Sequence, residues 1–336
     1  MEIANLNHSF YNEVKTLLHN ARNSVYQTIN TTMTQTYWQI GKKIVEVEQG
    51  GESRAEYGKK LIKNLSDELT KEFGKGFSED NLKNMRRFYL AFSKSETVSS
   101  QFKLSWSHYV FLTRIANVDE RNFYEIESVN NNWGLRELKR QFDSGLFERL
   151  SLSIDKTKVK ELSQKGHIVE SANDIVKDPF VLEFVGLPVV ASYNENELEQ
   201  KLINKLEEFL LELGKGFTFV ARQKKITIDE KHFFVDLVFY NRLLKCFVVI
   251  DLKIGELKHQ DLGQIMMYVN YFDRFEKQKD ENPTIGIVLC KDKSKALVEL
   301  TLPKDNNQIY ASKYLTILPN KEEFKKLLES GEDGSV

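Results

Sequence analysis

Two aspartates and a lysine stand where charge is costly. Asp236 interrupts the apolar run HFFVDLVFY (232–240), and Asp251 and Lys253 end the run CFVVIDLK (246–253). A lone carboxylate inside an apolar strand is expensive to bury. Side chains alternate along a strand, so Asp251 and Lys253 share one side, about 6–7 Å apart along the chain, while Leu252 faces a core. The short NRLLK connection between the runs makes them an antiparallel pair and sets Asp236 across from Asp251. Two neighbouring carboxylates repel unless a cation lies between them. An all-oxygen ligand set selects a hard divalent ion, magnesium or manganese.

The helix expected before these strands supplies a third acid. Stepping about 100° per residue from Leu198, the apolar side chains Leu202, Ile203, Leu206, Phe209, Leu210 and Leu213 fill an arc of roughly 140°. Glu199 falls inside that arc; Glu197, Glu207, Glu208 and Glu212 fall outside it. Glu195 also lies on the arc, but in the first turn, where the helix dipole favours a carboxylate anyway.

The chemistry that assembles is metal-assisted phosphodiester hydrolysis. Asp236, Asp251 and the backbone carbonyl of Leu252 would hold the ion, with Glu199 contributing directly or through water. A bound divalent ion lowers the pKa of its water and neutralises the scissile phosphate. Lys253 would orient or deprotonate that water and counter the developing charge. On the following helix Gln264 and Tyr268, four residues apart, share a face and would touch the substrate phosphate or hold the lysine. Arg222 is a further candidate for the substrate, or else the ion-pair partner of Asp236. The bland alternative for Asp251-Leu252-Lys253 is a salt-bridged strand end. No G-x-S-x-G, Walker A or H-E-x-x-H string competes, and the six histidines are scattered. The nearest, His232 and His259, read as solvated or supporting residues rather than ligands.

The elements that must position these groups divide the chain in two. All five prolines fall in the second half, and the apolar positions of the first 178 residues recur at helical spacing. Phe10–Glu48 reads as one long helix or two, and Arg54–Phe73 as another. The turn Gly74–Ser78 lets Ser78 cap a helix from Glu79 to about Phe92. That outline is either a helix-turn-helix unit, with Arg86 and Arg87 meeting phosphates, or plain bundle packing. The stretches FKLSWSHYVFL and WGLRELKRQF add two helices. The expected organisation is a helical domain over 1–150, a polar connector over 151–178 with one short helix, and an α/β domain over 179–336 with a mixed central sheet. Within the last, a helix from Asn194 to about Leu213 precedes strands at 217–228, 232–240 and 246–253. A helix over 261–275, a strand at 284–290, a polar segment, a strand near 314–318 and a C-terminal helix follow.

Composition narrows the classes. The chain has 336 residues, 41% hydrophobic and 29% charged, with formal net charge −1. No global basic excess advertises a polyanion, although a local basic groove serves equally well. Cys246 and Cys290 lie in apolar runs and read as buried, reduced thiols. The N-terminus lacks an apolar signal region and no apolar stretch is long enough to span a membrane, so a cytoplasmic protein is expected.

Longer strings carry a resemblance. YWQIGKKIVE, YGKKLIKNLSDEL, FSEDNLKNMRRFY, SWSHYVFL, KDPFVLEFVGL, ENELEQKLINKLEEFLLELGKGFTFVARQ, FFVDLVFYNRLLKCFVVIDLK and GQIMMYVNYFD resemble the YhcG-type bacterial proteins over nearly the whole chain. That resemblance implies a helical N-terminal domain followed by a restriction-endonuclease-like PD-(D/E)XK domain, a divalent cation and a DNA substrate. The motif falls on Asp236, Asp251 and Lys253, with Glu199 and Gln264 flanking. Val235 stands where the motif's name has proline. Asp251 stands where glutamate is expected in most relatives, a shorter arm that alters the reach to a metal.

The leading expectation is therefore a metal-dependent DNA endonuclease, acting in genome defence or mobile-element control. Its expected partners are DNA, restriction–modification or other defence proteins, and a second copy of the chain. The alternatives are a non-cleaving DNA-binding regulator on a nuclease scaffold, and a helical adaptor subunit that recruits another enzyme.

Overall fold

A computed structural model describes residues 2–49, 54–93, 102–152, 156–187 and 193–318. The chain divides into two compact units, residues 1–138 and 139–336. The cut falls within the helix Leu135–Asp143, ahead of the position that composition suggests.

The first unit is helical. Helix α1 runs unbroken from Glu2 to Gln49, followed by α2 (Arg54–Phe73), α3 (Glu79–Phe92), α4 (Trp106–Leu112), α5 (Val118–Asn130) and the start of α6 (Leu135–Asp143). Helix α5 sits where the sequence offered no separate element; Asn117 caps it by accepting from the amides of Asp119 and Glu120. Ser78 caps α3 by accepting from the Asn81 amide. Leu82, Met85, Phe88 and Phe92 line the buried face of α3. Ile44, Ile62, Leu82 and Met85 form a core cluster against which Tyr37, Ile40, Leu65, Leu69, Phe77 and Trp106 pack. The crossing of α1 and α3 is close enough that a Cβ on Gly41 would overlap the Met85 carbonyl. Only glycine fits there.

The second unit is a mixed six-stranded sheet with helices on both faces. After α6 come α7 (Leu146–Leu152), α8 (Lys156–Lys165), β1 (Phe180–Val181), α9 (Glu195–Asn204), α10 (Leu206–Leu213), β2 (Phe217–Ile228), β3 (Lys231–Asn241), β4 (Cys246–Leu252), α11 (His259–Tyr271), β5 (Ile285–Cys290), α12 (Lys295–Thr301) and β6 (Ile309–Leu315). The strand order is β1-β6-β5-β4-β3-β2. The β2–β3 and β3–β4 pairs are antiparallel, whereas β4–β5, β5–β6 and β1–β6 are parallel. One core joins Leu198, Leu202, Phe209 and Leu213 to Leu237, Phe239, Ile250 and Leu252. The other joins Leu262, Ile265, Tyr268 and Val269 of α11 to Val238, Val249, Val288 and Cys290. A Cβ on Gly286 of β5 would lie 2.7 Å from Val269 and 2.8 Å from Ile265, so α11 rests directly on that strand's backbone.

Several expectations need correction. The helix begun at Asn194, with its reciprocal cap to Glu197, does not run on to Leu213: it breaks at Lys205 (φ −121°, ψ 36°). The break resets the helical phase, and Glu212, outside the arc of a continuous helix, is fully buried. Arg149 meets it at 2.5 Å and Arg140 at 3.4 Å, and Lys177 donates to its backbone carbonyl. The last described strand is Ile309–Leu315 rather than 314–318, and the polar segment before it holds α12. Helix α11 ends at Tyr271 and continues as a wider π-helical turn, Phe272–Glu276. The C-terminal helix lies outside the described residues. Cys246 and Cys290 are buried free thiols, pushed up to about 12 and about 11 chiefly by burial.

Candidate active site

The site lies where two strands part. The β3–β4 ladder ends at Leu237↔Ile250. Past that pair β3 stays bonded to β2, whereas β4 ends at Leu252. Asp236 and Asp251 are the first residues beyond the last pair, one on each strand. Asp236 Oδ2 accepts the Leu252 backbone N–H at 2.8 Å, so a side chain satisfies a donor at the fork. Lys253 continues the line by donating its backbone N–H to the Leu289 carbonyl at 2.8 Å.

Asp251 is 1% exposed. Alternation puts Leu252 in the core beneath α9 and α10, and Asp251 with Lys253 on the other side, with Val249 and α11. The Lys253 ammonium is 2.9 Å from Asp251 Oδ2 and 3.8 Å from Glu195. Asp251 Oδ2 nevertheless receives no well-directed hydrogen bond. Burial pushes the Asp251 carboxyl up to about 7; Lys253 opposes the shift and Asp236 adds to it. Burial raises Asp236 as well, against the Leu252 amide and Lys253, with Glu199 adding to the rise. Burial works against the Lys253 ammonium, but Asp251, Glu195 and Asp236 together outweigh it and raise its proton affinity. The cluster carries more negative charge than its one ammonium balances.

Glu199 reaches the cluster indirectly. It is buried on α9, with Oε1 taken by Arg222 and Oε2 accepting from the Gln223 amide at 2.5 Å. The same amide donates to Asp236 Oδ1 at 3.0 Å, so Gln223 bridges the two carboxylates. Gln223 holds a left-handed backbone (φ 47°) between the ladder pairs Arg222↔Leu237 and Lys224↔Val235, directly across from Asp236. A non-glycine residue pays for that conformation, and what it gains is the bridge. Sequence reasoning passes over Gln223; its one signal is the register that sets it opposite Asp236. Arg222 pairs with Glu199, not Asp236, and also donates to Gln200 at 2.8 Å. Glu195, set aside as a first-turn acid, is the helix residue that approaches Lys253.

Gln264 donates to the Tyr268 hydroxyl at 2.6 Å, and that hydroxyl donates to the Phe234 carbonyl at 2.9 Å. The pair thus ties α11 to β3 just before Asp236. Burial raises the Tyr268 hydroxyl. His232 is exposed and bonds Thr227, and His259 is exposed at the start of α11. Arg86 and Arg87 lie in the first compact unit, not with the carboxylates. Arg86 meets Glu48 at 2.5 Å, and exposed Arg87 donates to Asn84 at 3.3 Å.

The donor set suits a hard divalent cation. Two raised carboxylates and a nearby backbone carbonyl offer only oxygen. Among the described residues no three His, Cys, Asp or Glu side chains converge as a metal set. A cation here would draw on Asp236, Asp251 and the Leu252 carbonyl. Glu199 already has a cationic partner in Arg222, which favours its acting through Gln223 and water.

Known proteins share much of this sequence. Residues 173–329 match the profile of the YhcG PDDEXK nuclease domain, and residues 13–149 that of the DUF1016 N-terminal domain. The chain is 38% identical to the Escherichia coli (strain K12) protein YhcG, over 91% of this chain and 89% of that one. Solved structures with partial likeness include a repair endonuclease from Pyrococcus abyssi, 19% identical over 37% of this chain and 49% of that one, with TM-score 0.26. Another is EndoMS in complex with double-stranded DNA, 18% identical over 40% of this chain and 49% of that one, with TM-score 0.28. No helix among the described residues is long and apolar enough to cross a membrane.

Proposed function

This chain belongs to the YhcG family of PDDEXK nucleases, and from that premise we propose that it is a divalent-metal-dependent endonuclease that hydrolyses phosphodiester bonds in DNA. The observation that supports this most is the cluster at the strand fork. Asp251, 1% exposed and raised to about 7, shares the fork with Asp236 and has Lys253 2.9 Å away. Burial of that kind is costly for a fold and useful for holding a cation.

Asp236, Asp251 and the Leu252 carbonyl would hold magnesium or manganese in this reading. A divalent ion held there would supply an acidified water and charge neutralisation at the phosphate. Lys253 orients the attacking water and meets the negative charge that develops on the phosphoryl oxygens. Glu199, through Gln223, fixes Asp236. Gln264 and Tyr268 hold the neighbouring strand in place and border the phosphate. Arg222, about one-third exposed beyond its pairing with Glu199, lies toward the substrate strand. DNA rather than RNA, a role in genome defence or mobile-element control, and partnership with restriction–modification proteins complete the reading.

The test is cleavage of supercoiled, linear and branched DNA by the purified full chain, with magnesium, manganese, calcium or chelator. Cleavage is expected with magnesium or manganese and not with calcium, and is lost in Lys253→Ala. Turnover undiminished by chelator, or retained in Lys253→Ala, overturns the mechanism. Cutting of RNA in preference to DNA overturns the substrate.

A further inference from the structure

Helix α1 carries one apolar stripe along its length, and only part of it is covered. Tyr11, Val14, Leu18, Val25, Ile29 and Met33 recur at three- and four-residue steps, with Arg22 in the remaining position. The series continues through Thr36, Ile40, Ile44 and Val47. Its repeat of three, four and four residues spans eleven, or three helical turns, so the stripe runs nearly straight. The lower part meets the core of the first unit at Ile44, 3% exposed, with Ile40 packed beside it, while Val47 beyond is 44% exposed. The upper part is bare among the described residues. Leu18 is 57% exposed, Val25 58% and Ile29 53%, and Tyr11 at the upper end of the stripe is 59% exposed.

We infer that the upper half of α1 is a self-association face, where it pairs with α1 of a second copy of this chain. Three observations select that occupant. The stripe is straight, narrow and helically spaced, a shape that a second helix fills. No Asp, Glu, Lys, Arg or His occurs from Asn23 to Gly41. That segment, which carries Val25, Ile29 and Met33 of the stripe, has no charge for a nucleic-acid backbone and none that repels an identical helix, Arg22 being the one charged residue on the stripe; depletion of charge marks the centre of protein interfaces. Finally, the six apolar side chains of the upper stripe, Tyr11 to Met33, are between about one-third and three-fifths exposed, and in two copies they give on the order of 1,000 Å², which a specific interface needs at the least. Pairing two copies covers both stripes with one contact. Thr16 and Thr28 turn their hydroxyls back onto the Asn12 and Ser24 carbonyls, which satisfies them within the helix.

The test is sedimentation of the full chain across micromolar concentrations, wild type against Leu18→Glu/Ile29→Glu. Both side chains are exposed, so the substitutions leave the single-chain core intact. The wild type is expected to be a dimer, and the double variant to weaken self-association by roughly a hundredfold or more by placing charges in the seam. A second pair, Leu18→Ala/Ile29→Ala, adds no charge and keeps strong helix formers, so weaker dimerisation there excludes unfolding as the cause. A monomeric wild type overturns the proposal and leaves the face to a different protein or to nucleic acid. So does a dimer that both variants leave intact. The outcome is independent of whether the chain cuts DNA.

Discussion

The Asp236 carboxylate accepts the backbone N–H of Leu252, at 2.8 Å, at the point where β3 and β4 separate. One oxygen of the acid thereby organises the backbone that carries Asp251, Leu252 and Lys253, while the other accepts from Gln223. The two acids are joined through main chain as well as by proximity.

Asp251→Asn separates the catalytic reading from a structural ion pair. Folding raises the Asp251 carboxyl to about 7. A group raised on folding contributes stability that is full below its unfolded value, about 4, and is lost as pH climbs through its folded value. Metal-free wild type should therefore lose stability, on the order of a few kcal/mol at most, from about pH 4 to about pH 8. Asp251→Asn should flatten that profile, melt level with or above wild type at about pH 8, and lose cleavage. A destabilised variant that still cuts would remove Asp251 from the chemistry.

Gln223→Gly tests the bridge between Glu199 and Asp236. Glycine suits the φ of 47°, so melting should change little. Losing the amide leaves the two carboxylates to repel, and divalent-ion affinity by calorimetry should fall roughly 10–100-fold. Unchanged affinity would reduce Gln223 to a strand irregularity.

Glu212→Gln should cost about 3–5 kcal/mol in a denaturant melt, because it removes the carboxylate charge that faces the fully buried Arg149 guanidinium. Burial raises the Glu212 carboxyl, but Arg149, Lys177 and Arg140 outweigh it and hold it at about 2. Its contribution is present above the ordinary glutamate range and is lost as pH falls through about 2. A variant as stable as wild type would contradict this account of the cluster.

Arg86→Ala with Arg87→Ala bears on the first unit. Arg86 is paired with Glu48, so bundle packing predicts a small loss, at most about 1 kcal/mol, and an unchanged salt dependence of DNA affinity. A slope shallower by roughly two would instead place α3 on phosphates.

The sheet and the meeting of Asp236, Asp251 and Lys253 are legible in the sequence, because period-two alternation and a five-residue connection leave one register. The burial of Glu199 is legible from the helical arc. What the arc misses is Glu212, since no proline or glycine marks the break at Lys205. Gln223 is hidden for a different reason: its orientation depends on one residue entering the left-handed region, which local sequence does not announce. The partners of Arg222 and Arg86 are long-range choices among several acids, and spacing does not decide them.

Gly286 carries no functional group, yet Ile265 and Val269 of α11 rest where its side chain would be. Helix α11 bears Gln264 and Tyr268, and β5 lies alongside the strand that ends in Asp251. The absence of one methyl group is thus a spacer that calibrates the gap between helix and acid. A screen for inactive but folded variants should return position 286 beside the charged residues, although nothing there touches a phosphate.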